Sequence, residues 1–180
     1  AKSALTGMNI DHQIILINDG SRDSTMEIMN LIQKRDSKVQ VIHHLTPRGI
    51  GFGYKEGIRN STKEYFMYLP GDDDFEEKSI RAVLEQRGKT DIVIPYHVNQ
   101  EVRTVQRKAL SGCYTALLNL FFGLRIKYFN SIVLHKTRFL QALTIHSDKF
   151  TYQSEIIIKL VKIHKCSFNH VGISINERSS

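Results

Sequence analysis

Cysteine is nearly absent. The 180 residues hold two, Cys113 and Cys166, too far apart in the chain to give a metal or redox spacing. That excludes a cysteine-built centre and points to a reducing compartment with both thiols free. Long apolar runs are missing too: the uncharged stretch from Ala109 to Leu124 is too short to read as a membrane span. The first ten residues lack the basic start and apolar core of a secretory leader, and the chain opens on Ala1 rather than Met. No internal repeat or low-complexity tract is present. Acidic residues are scarce in one half only. Residues 1–90 hold 13 basic and 13 acidic side chains, whereas residues 91–180 hold 12 basic and 5 acidic, so the net charge of +7 lies in the second half. Either this is scattered surface charge, or that half meets an anion: a phosphate, an acidic membrane face or nucleic acid.

What is present is ordinary globular composition, 41% apolar and 24% charged, enough for one domain with a core. Gln13 to Asn18 is a short apolar run that ends in Asp19-Gly20-Ser21, the pattern of a buried strand leaving its sheet in a tight turn. Asp23 to Arg35 has helical apolar spacing, with Asp23 or Ser24 as cap. Val39 to His43 reads as strand, Arg48 to Ser61 as a glycine-led helix, Tyr65 to Leu69 as strand, Phe75 to Arg87 as helix and Asp91 to Tyr96 as strand. Alternation of this kind predicts a mostly parallel sheet with helices on its faces, and ligands at the carboxyl ends of the strands. Two strands end in acidic turns, at Asp19 and at Asp72.

The second half changes character. Arg103 to Leu124 predicts a long helix with Leu110, Tyr114, Leu117, Phe121 and Leu124 on one stripe, widened by Leu118 and Phe122. Basic residues flank it at Arg103, Arg107, Lys108, Arg125 and Lys127. It either packs on the sheet or lies in a membrane interface. Ser131 to His135 reads as strand, Phe150 to His164 as helix and Ser167 to Asn176 as a terminal strand or hairpin.

Asp72, Asp73 and Asp74 follow strand, Pro70 and Gly71 directly. Three adjacent carboxylates repel one another, and a hard divalent ion that keeps waters and binds phosphates would relieve this. The alternative is a solvated acidic loop running through Glu76 and Glu77 into a helix start, where acids are favoured. The stretch Arg48-Gly49-Ile50-Gly51-Phe52-Gly53 is no P-loop, because the lysine and hydroxyl residue that end one are absent. Its glycines leave room for a close backbone approach to a ligand.

In their order and spacing, IILINDGSRDST (14–25) and RGIGFGYKEGIRNSTKEYFMYLPGDDDF (48–75) resemble family 2 glycosyltransferases of the GT-A fold. RTVQRKALSGCYTALLNLFFGL (103–124) and the tail VGISINERSS resemble the polyprenol-phosphate members, the group similar to dolichol-phosphate mannose synthase. The resemblance implies a Rossmann-like α/β three-layer sandwich with a mostly parallel central sheet. It places the family's first strand ahead of residue 1, so the chain reads as a single domain trimmed at both ends. Residues 1–98 would be the nucleotide-sugar and metal half, and residues 99–180 the acceptor half.

The resemblance also implies roles. Asp19, with Gly20, Ser21 and Gly49, would contact the nucleotide sugar. Asp72 matches the last aspartate of the family's Asp-x-Asp motif, whose first aspartate is replaced by Pro70, so Asp73 or Asp74 becomes the second ligand to Mg²⁺ or Mn²⁺. Arg107 and Ser111, with Arg103 and Arg178, would hold acceptor phosphate. The catalytic set is Asp72, Asp73 and Arg107. The catalytic Glu-Asp pair of members that glycosylate hydroxyls is here Gln153-Ser154-Glu155. A phosphate acceptor is already an anion and needs no general base. The expectation is an inverting, metal-dependent transfer from a nucleotide-diphosphate sugar to a polyprenol-phosphate lipid, with peripheral contact at the cytoplasmic face of a membrane. One rival is a transferase to saccharide hydroxyls with Glu155 or Asp148 as base. Another is a non-catalytic nucleotide-binding or membrane-docking module. Nucleic acid is not an expected partner, since the basic residues alternate with an apolar stripe and no stacking platform is present. His43, His44 and His97 read as surface or packing residues.

Overall fold

The structure is a computed structural model that describes residues 2–99 and 104–176. The order is α1 (Lys2–Leu5), β1 (Ile14–Asp19), α2 (Thr25–Arg35), β2 (Val39–His44), α3 (Ile50–Asn60), β3 (Tyr65–Met67), α4 (Glu77–Leu84), β4 (Ile92–His97), α5 (Val105–Phe122), β5 (Leu134–Lys136), α6 (Thr137–Gln141), α7 (Tyr152–Lys162) and β6 (Phe168–Ile173). The expected alternation holds, with ends moved by a few residues. The short helices α1 and α6 have too few residues to show an apolar period.

The sheet is mixed rather than mostly parallel, and it is in two pieces. β1 pairs with β2 in parallel, with Asp19 opposite His44 at the carboxyl end of the ladder. The second piece has the order β3-β5-β4-β6. The short β5 enters between β3 and β4 and runs against both, while β4 and β6 are parallel. Side chains alternate across β4. Ile92 and Ile94 join Tyr54 and Ile58 of α3, Leu140 of α6 and Ile156, Ile157 and Leu160 of α7. Val93 joins Ala4 of α1, Ile80 and Val83 of α4 and Ile173 of β6. Helices therefore cover both faces, which is the three-layer arrangement.

The outer edges of β1 and β3 do not pair with each other. Between them lies a cleft of about 1240 Å³, lined by Ile14–Ile17 on one side and Tyr65–Leu69 on the other, and bounded by Gly53, Tyr54 and Gly57 of α3. It reaches the acidic turn through Gly71 and Asp73.

Thr104 caps α5 by accepting the Arg107 amide. Past its other end, Asn119 brackets Ile126, donating to its carbonyl at 2.8 Å and accepting from its amide at 2.9 Å. The packed face of α5 is not the full stripe expected. Tyr114 and Leu118 meet the core, as does Leu124 just past the helix end, but Leu110 and Phe121 are 75 and 76% exposed. The stripe is wider than the surface available beneath it. No helix among the described residues is long and apolar enough to cross a membrane.

Candidate active site

The carboxyl end of the β1–β2 ladder is organised around Asp19. The parallel register brings Asp19 and His44 face to face, and His44 Nδ1–H donates to Asp19 Oδ1 at 2.9 Å. The Arg48 amide donates to the same oxygen at 2.9 Å, and the Gly49 amide to Oδ2 at 2.8 Å. Burial works to raise the Asp19 carboxyl, but His44 and the two amides outweigh it and hold the group below its usual range. A carboxylate offers about four lone-pair directions. Three are taken here, and one on Oδ2 is left for a ligand.

Gly20 turns the chain at φ 78°, and a Cβ there would stand 2.7 Å from Pro47, so the β1 turn and the loop before α3 touch backbone to backbone. Ser21 donates its amide to Asn18 Oδ1 at 2.9 Å, which closes that turn. The glycine stretch does something other than expected. Gly51 approaches the Asp148 loop so closely that a Cβ would fall 2.6 Å from Asp148 C, and its amide donates to the Asp148 carbonyl at 3.1 Å. Lys55 adds an ion pair to Asp148. This glycine serves the packing of a protein loop, while the Gly49 amide serves Asp19.

The acidic turn follows β3. Asp72 and Asp73 are exposed and Asp74 is half-buried. Asp73 takes a left-handed conformation at φ 56°, which aspartate tolerates better than most residues. Asn176 fastens the turn from beyond β6: its amide donates to the Asp74 carbonyl at 2.8 Å and its side chain to the Asp73 carbonyl at 2.6 Å. Burial, and then the charge of Asp72, push the Tyr68 phenol up. Hard carboxylate oxygens on an exposed turn suit a divalent ion that keeps waters and shares phosphate oxygens. Among the described residues no group of three or more His, Cys, Asp or Glu forms an all-protein cage.

Arg107 sits exposed on the first turn of α5. Ser111 lies one turn on, its hydroxyl donating to the Lys108 carbonyl at 3.2 Å. Arg103 and Arg178 lie outside the described residues. The described contacts of α5 run to Ser154, Phe129 and Ile126 and do not bring Arg107 to the acidic turn.

The carboxylates considered as bases are engaged elsewhere. Glu155 Oε1 accepts from the His146 amide at 3.0 Å and from Lys159 Nζ, and Oε2 accepts from the Ser147 amide at 2.9 Å. Burial would raise this carboxyl, but those donors hold it below its ordinary value. Such a group is a poor proton acceptor near neutral pH. Sequence reasoning missed His44 as a partner of Asp19 and Asn176 as an anchor of the acidic turn. The only signal for His44 was its place at the end of an adjacent strand. Asn176 carried none.

Comparison with known proteins identifies the family and the fold. The family model described as Glycosyl transferase family 2 matches residues 2–150. The glycosyltransferase GlyG of Streptococcus pneumoniae is 30% identical over 91 residues, covering 49% of this chain and 30% of that protein. A cholesterol galactosyltransferase of Borreliella burgdorferi is 28% identical over 113 residues, covering 61% of this chain and 31% of its own length. Glucosyl-3-phosphoglycerate synthase of Mycobacterium tuberculosis, solved with Mn²⁺, UDP and glucosyl-3-phosphoglycerate, superposes with a TM-score of 0.66 at 13% identity, over 99% of this chain and 64% of that one. The same enzyme with Mg²⁺ and UDP gives 0.63 at 11%, over 99% and 74%. The chain spans under a third of the length of these curated relatives. The structural likeness establishes a GT-A fold, and with the family match the conclusion is that the chain belongs to glycosyl transferase family 2.

Proposed function

We propose that this chain is the catalytic domain of an inverting glycosyltransferase that moves a sugar from a nucleotide-diphosphate donor to a polyprenol-phosphate acceptor at the cytoplasmic face of a membrane. Asp19 would take an N–H of the nucleoside through its remaining Oδ2 lone pair. Asp72, with Asp73 or Asp74, would hold Mg²⁺ or Mn²⁺. That ion supplies stabilisation of the charge leaving on the diphosphate. Solved structural neighbours carry Mn²⁺ or Mg²⁺ with UDP, which supports this reading. Arg107 would orient the acceptor phosphate through its forked donors, with Ser111 beside it and Arg103 and Arg178 as further candidates. An acceptor phosphate oxygen then forms a bond to the anomeric carbon as the carbon–oxygen bond to the donor diphosphate breaks. The electron pair leaves with the nucleoside diphosphate, and the configuration inverts.

The observation that carries the choice of acceptor is the state of Glu155. A hydroxyl acceptor needs a free base, and the carboxylate of the late helix is held by three donors. An anionic acceptor does without one. The surface of α5 supports the membrane face. Val105, Leu110, Leu120 and Phe121 are exposed, Arg107, Lys108, Arg125 and Lys127 flank them, and residues 104–147 contain no acidic side chain. Apolar surface bounded by cations suits an anionic bilayer.

The test is sugar transfer from UDP- and GDP-sugars to polyprenol phosphate or to soluble saccharides. Transfer to the lipid is expected, with Asp72→Asn lowering it by roughly a hundredfold or more. Phe121→Asp should lower transfer to lipid in anionic vesicles but not to lipid dispersed in detergent. Transfer to saccharides that vanishes in Glu155→Gln would overturn the acceptor assignment.

A further inference from the structure

We propose that His44 is a positioning residue for the nucleotide site: it locks the Asp19 carboxylate so that a single lone pair, on Oδ2, is presented to an N–H of the nucleobase. The proposal rests on the reading of Asp19 as a nucleoside contact, and it assigns a task to a histidine whose sequence context suggested only a surface or packing role.

Three observations carry it. His44 and Asp19 are register partners at the last step of the β1–β2 ladder, so their backbones are fixed relative to each other before any side chain is placed. The His44 side chain is 8% exposed while that of Asp19 is 34% exposed, so one partner is anchored and the other looks outward. The His44 ring is itself held, edge to face with Phe52 at 5.2 Å, and the Arg48 guanidinium lies 3.6 Å over that same Phe52 ring. Arg48 also gives its amide to Asp19 Oδ1. The result is a closed set in which the ring stack and the carboxylate share residues of one loop.

The chemistry follows from the partners. A carboxylate only accepts, so Nδ1 of His44 carries the proton. Nε2 is buried and meets no hydrogen-bond partner. As a bare acceptor it is cheaper to bury than an unpaired N–H. With Nδ1–H and the Arg48 amide on Oδ1, that oxygen is full. Oδ2 holds the Gly49 amide and has one direction left. Such a site selects a base that offers a ring N–H, as uracil and guanine do, over cytosine and adenine, whose ring nitrogens at the corresponding edge are acceptors. Without His44 the carboxylate could turn about its own bonds, and both the affinity and the choice of base would suffer.

The test compares His44→Phe, which keeps an aromatic ring against Phe52 and removes the donor, with His44→Asn, whose amide N–H reaches the place of Nδ1. UDP, GDP, CDP and ADP are titrated calorimetrically with Mn²⁺ present. His44→Phe should weaken the preferred diphosphate roughly tenfold or more, the range for a hydrogen bond to a charged group, and narrow the gap between bases. His44→Asn should restore most of the affinity. Asp19→Asn with His44→Phe should bind no more weakly than Asp19→Asn alone. A role in packing alone would lower the melting temperature without this rescue or this non-additivity. Unchanged binding in His44→Phe, or His44→Asn as weak as His44→Phe, overturns the proposal. If the wild-type chain binds none of the four, the nucleoside reading of Asp19 fails, and amide exchange decides the locking itself. Arg48 and Gly49 amides should then lose at least roughly tenfold protection in His44→Phe and keep it in His44→Asn, while β4 amides do not change. Equal protection in all three proteins sinks the locking role.

Discussion

β1 and β4 are written in nearly the same alphabet, IILIND and IVIPYH, and they end in different surroundings. In β1 only Asn18 is buried, whereas in β4 every residue but Tyr96 is. β4 has a strand on each side and helices on both faces. β1 has one neighbouring strand, a cleft along its other edge and two helices against it: α3, whose Gly53 and Gly57 approach Ile17, and α2, which has no buried residue. An apolar run thus specifies a strand, but its neighbours decide how much stability it yields. The molecule separates tasks accordingly. The core gathers around β4, while Asp19 ends β1 and Asp72 lies in the turn beyond β3, the two strands that flank the cleft.

The sharpest way to break that contrast is to delete matched side chains. Ile94 is fully buried, so Ile94→Ala should cost about 2–5 kcal/mol, the usual range for a cavity left in a packed core. Leu16 lines the cleft and should cost about 1 kcal/mol or less in Leu16→Ala, nearer the range of surface changes. Denaturant titration of both variants checks it. Equal losses would mean that the β1–β2 piece is as tightly covered as β4.

A second difference can be read through pH. His135, in β5 between β3 and β4, is fully buried, and burial pushes its imidazole down to about 3. An unfolded histidine protonates near 6.5. As pH falls below about 6.5 the unfolded chain takes up a proton that the folded chain refuses, so the unfolded state gains. The stability is complete above about pH 6.5 and drains away as pH falls toward 3. At pH 4.5 the loss should be about 3 kcal/mol, and His135→Leu should flatten this part of the curve. Thermal unfolding of both proteins between pH 7 and 4 measures it. Parallel curves would show that the centre of the larger sheet admits a proton.

How much of this was legible in the residues depends on range. Strand–helix alternation is local, and β1 to β4 follow from short apolar runs and the turns that end them. The antiparallel entry of β5 is not local. Its three residues, Leu-His-Lys, carry no alternation long enough to declare a direction, and the pairing is set by where α5 and the Asn119–Ile126 bracket deliver the chain. The site divides the same way. Asp19 and Asp72 were visible because each stands in a glycine-bearing turn that ends a short apolar run. His44 was not, because its role depends on strand register. The stripe on α5 was visible as a pattern, but spacing alone does not say which part of it finds a partner.

The smallest effect concerns the seam between the two regions. Gly51 and Lys55 of α3 hold the Asp148 loop, and Glu155 holds the same loop from α7 through the amides of His146 and Ser147. Glu155 therefore couples the helix beside the cleft to a helix of the core. Its carboxyl lies below the ordinary value, so its contribution is present above about pH 4.5 and is lost as pH falls through the folded value. Glu155→Gln keeps the shape and one acceptor but gives up the charge that strengthens all three bonds. The expected cost is about 1 kcal/mol, or roughly 2–4 °C in melting temperature for a chain of this size, with the rate of transfer to a phosphate acceptor unchanged. Differential scanning calorimetry at pH 7 and pH 4 should show a gap between wild type and variant that narrows at the lower pH. A gap of equal size at both would assign the loss to packing. A fall in transfer rate without loss of stability would return Glu155 to the role of base.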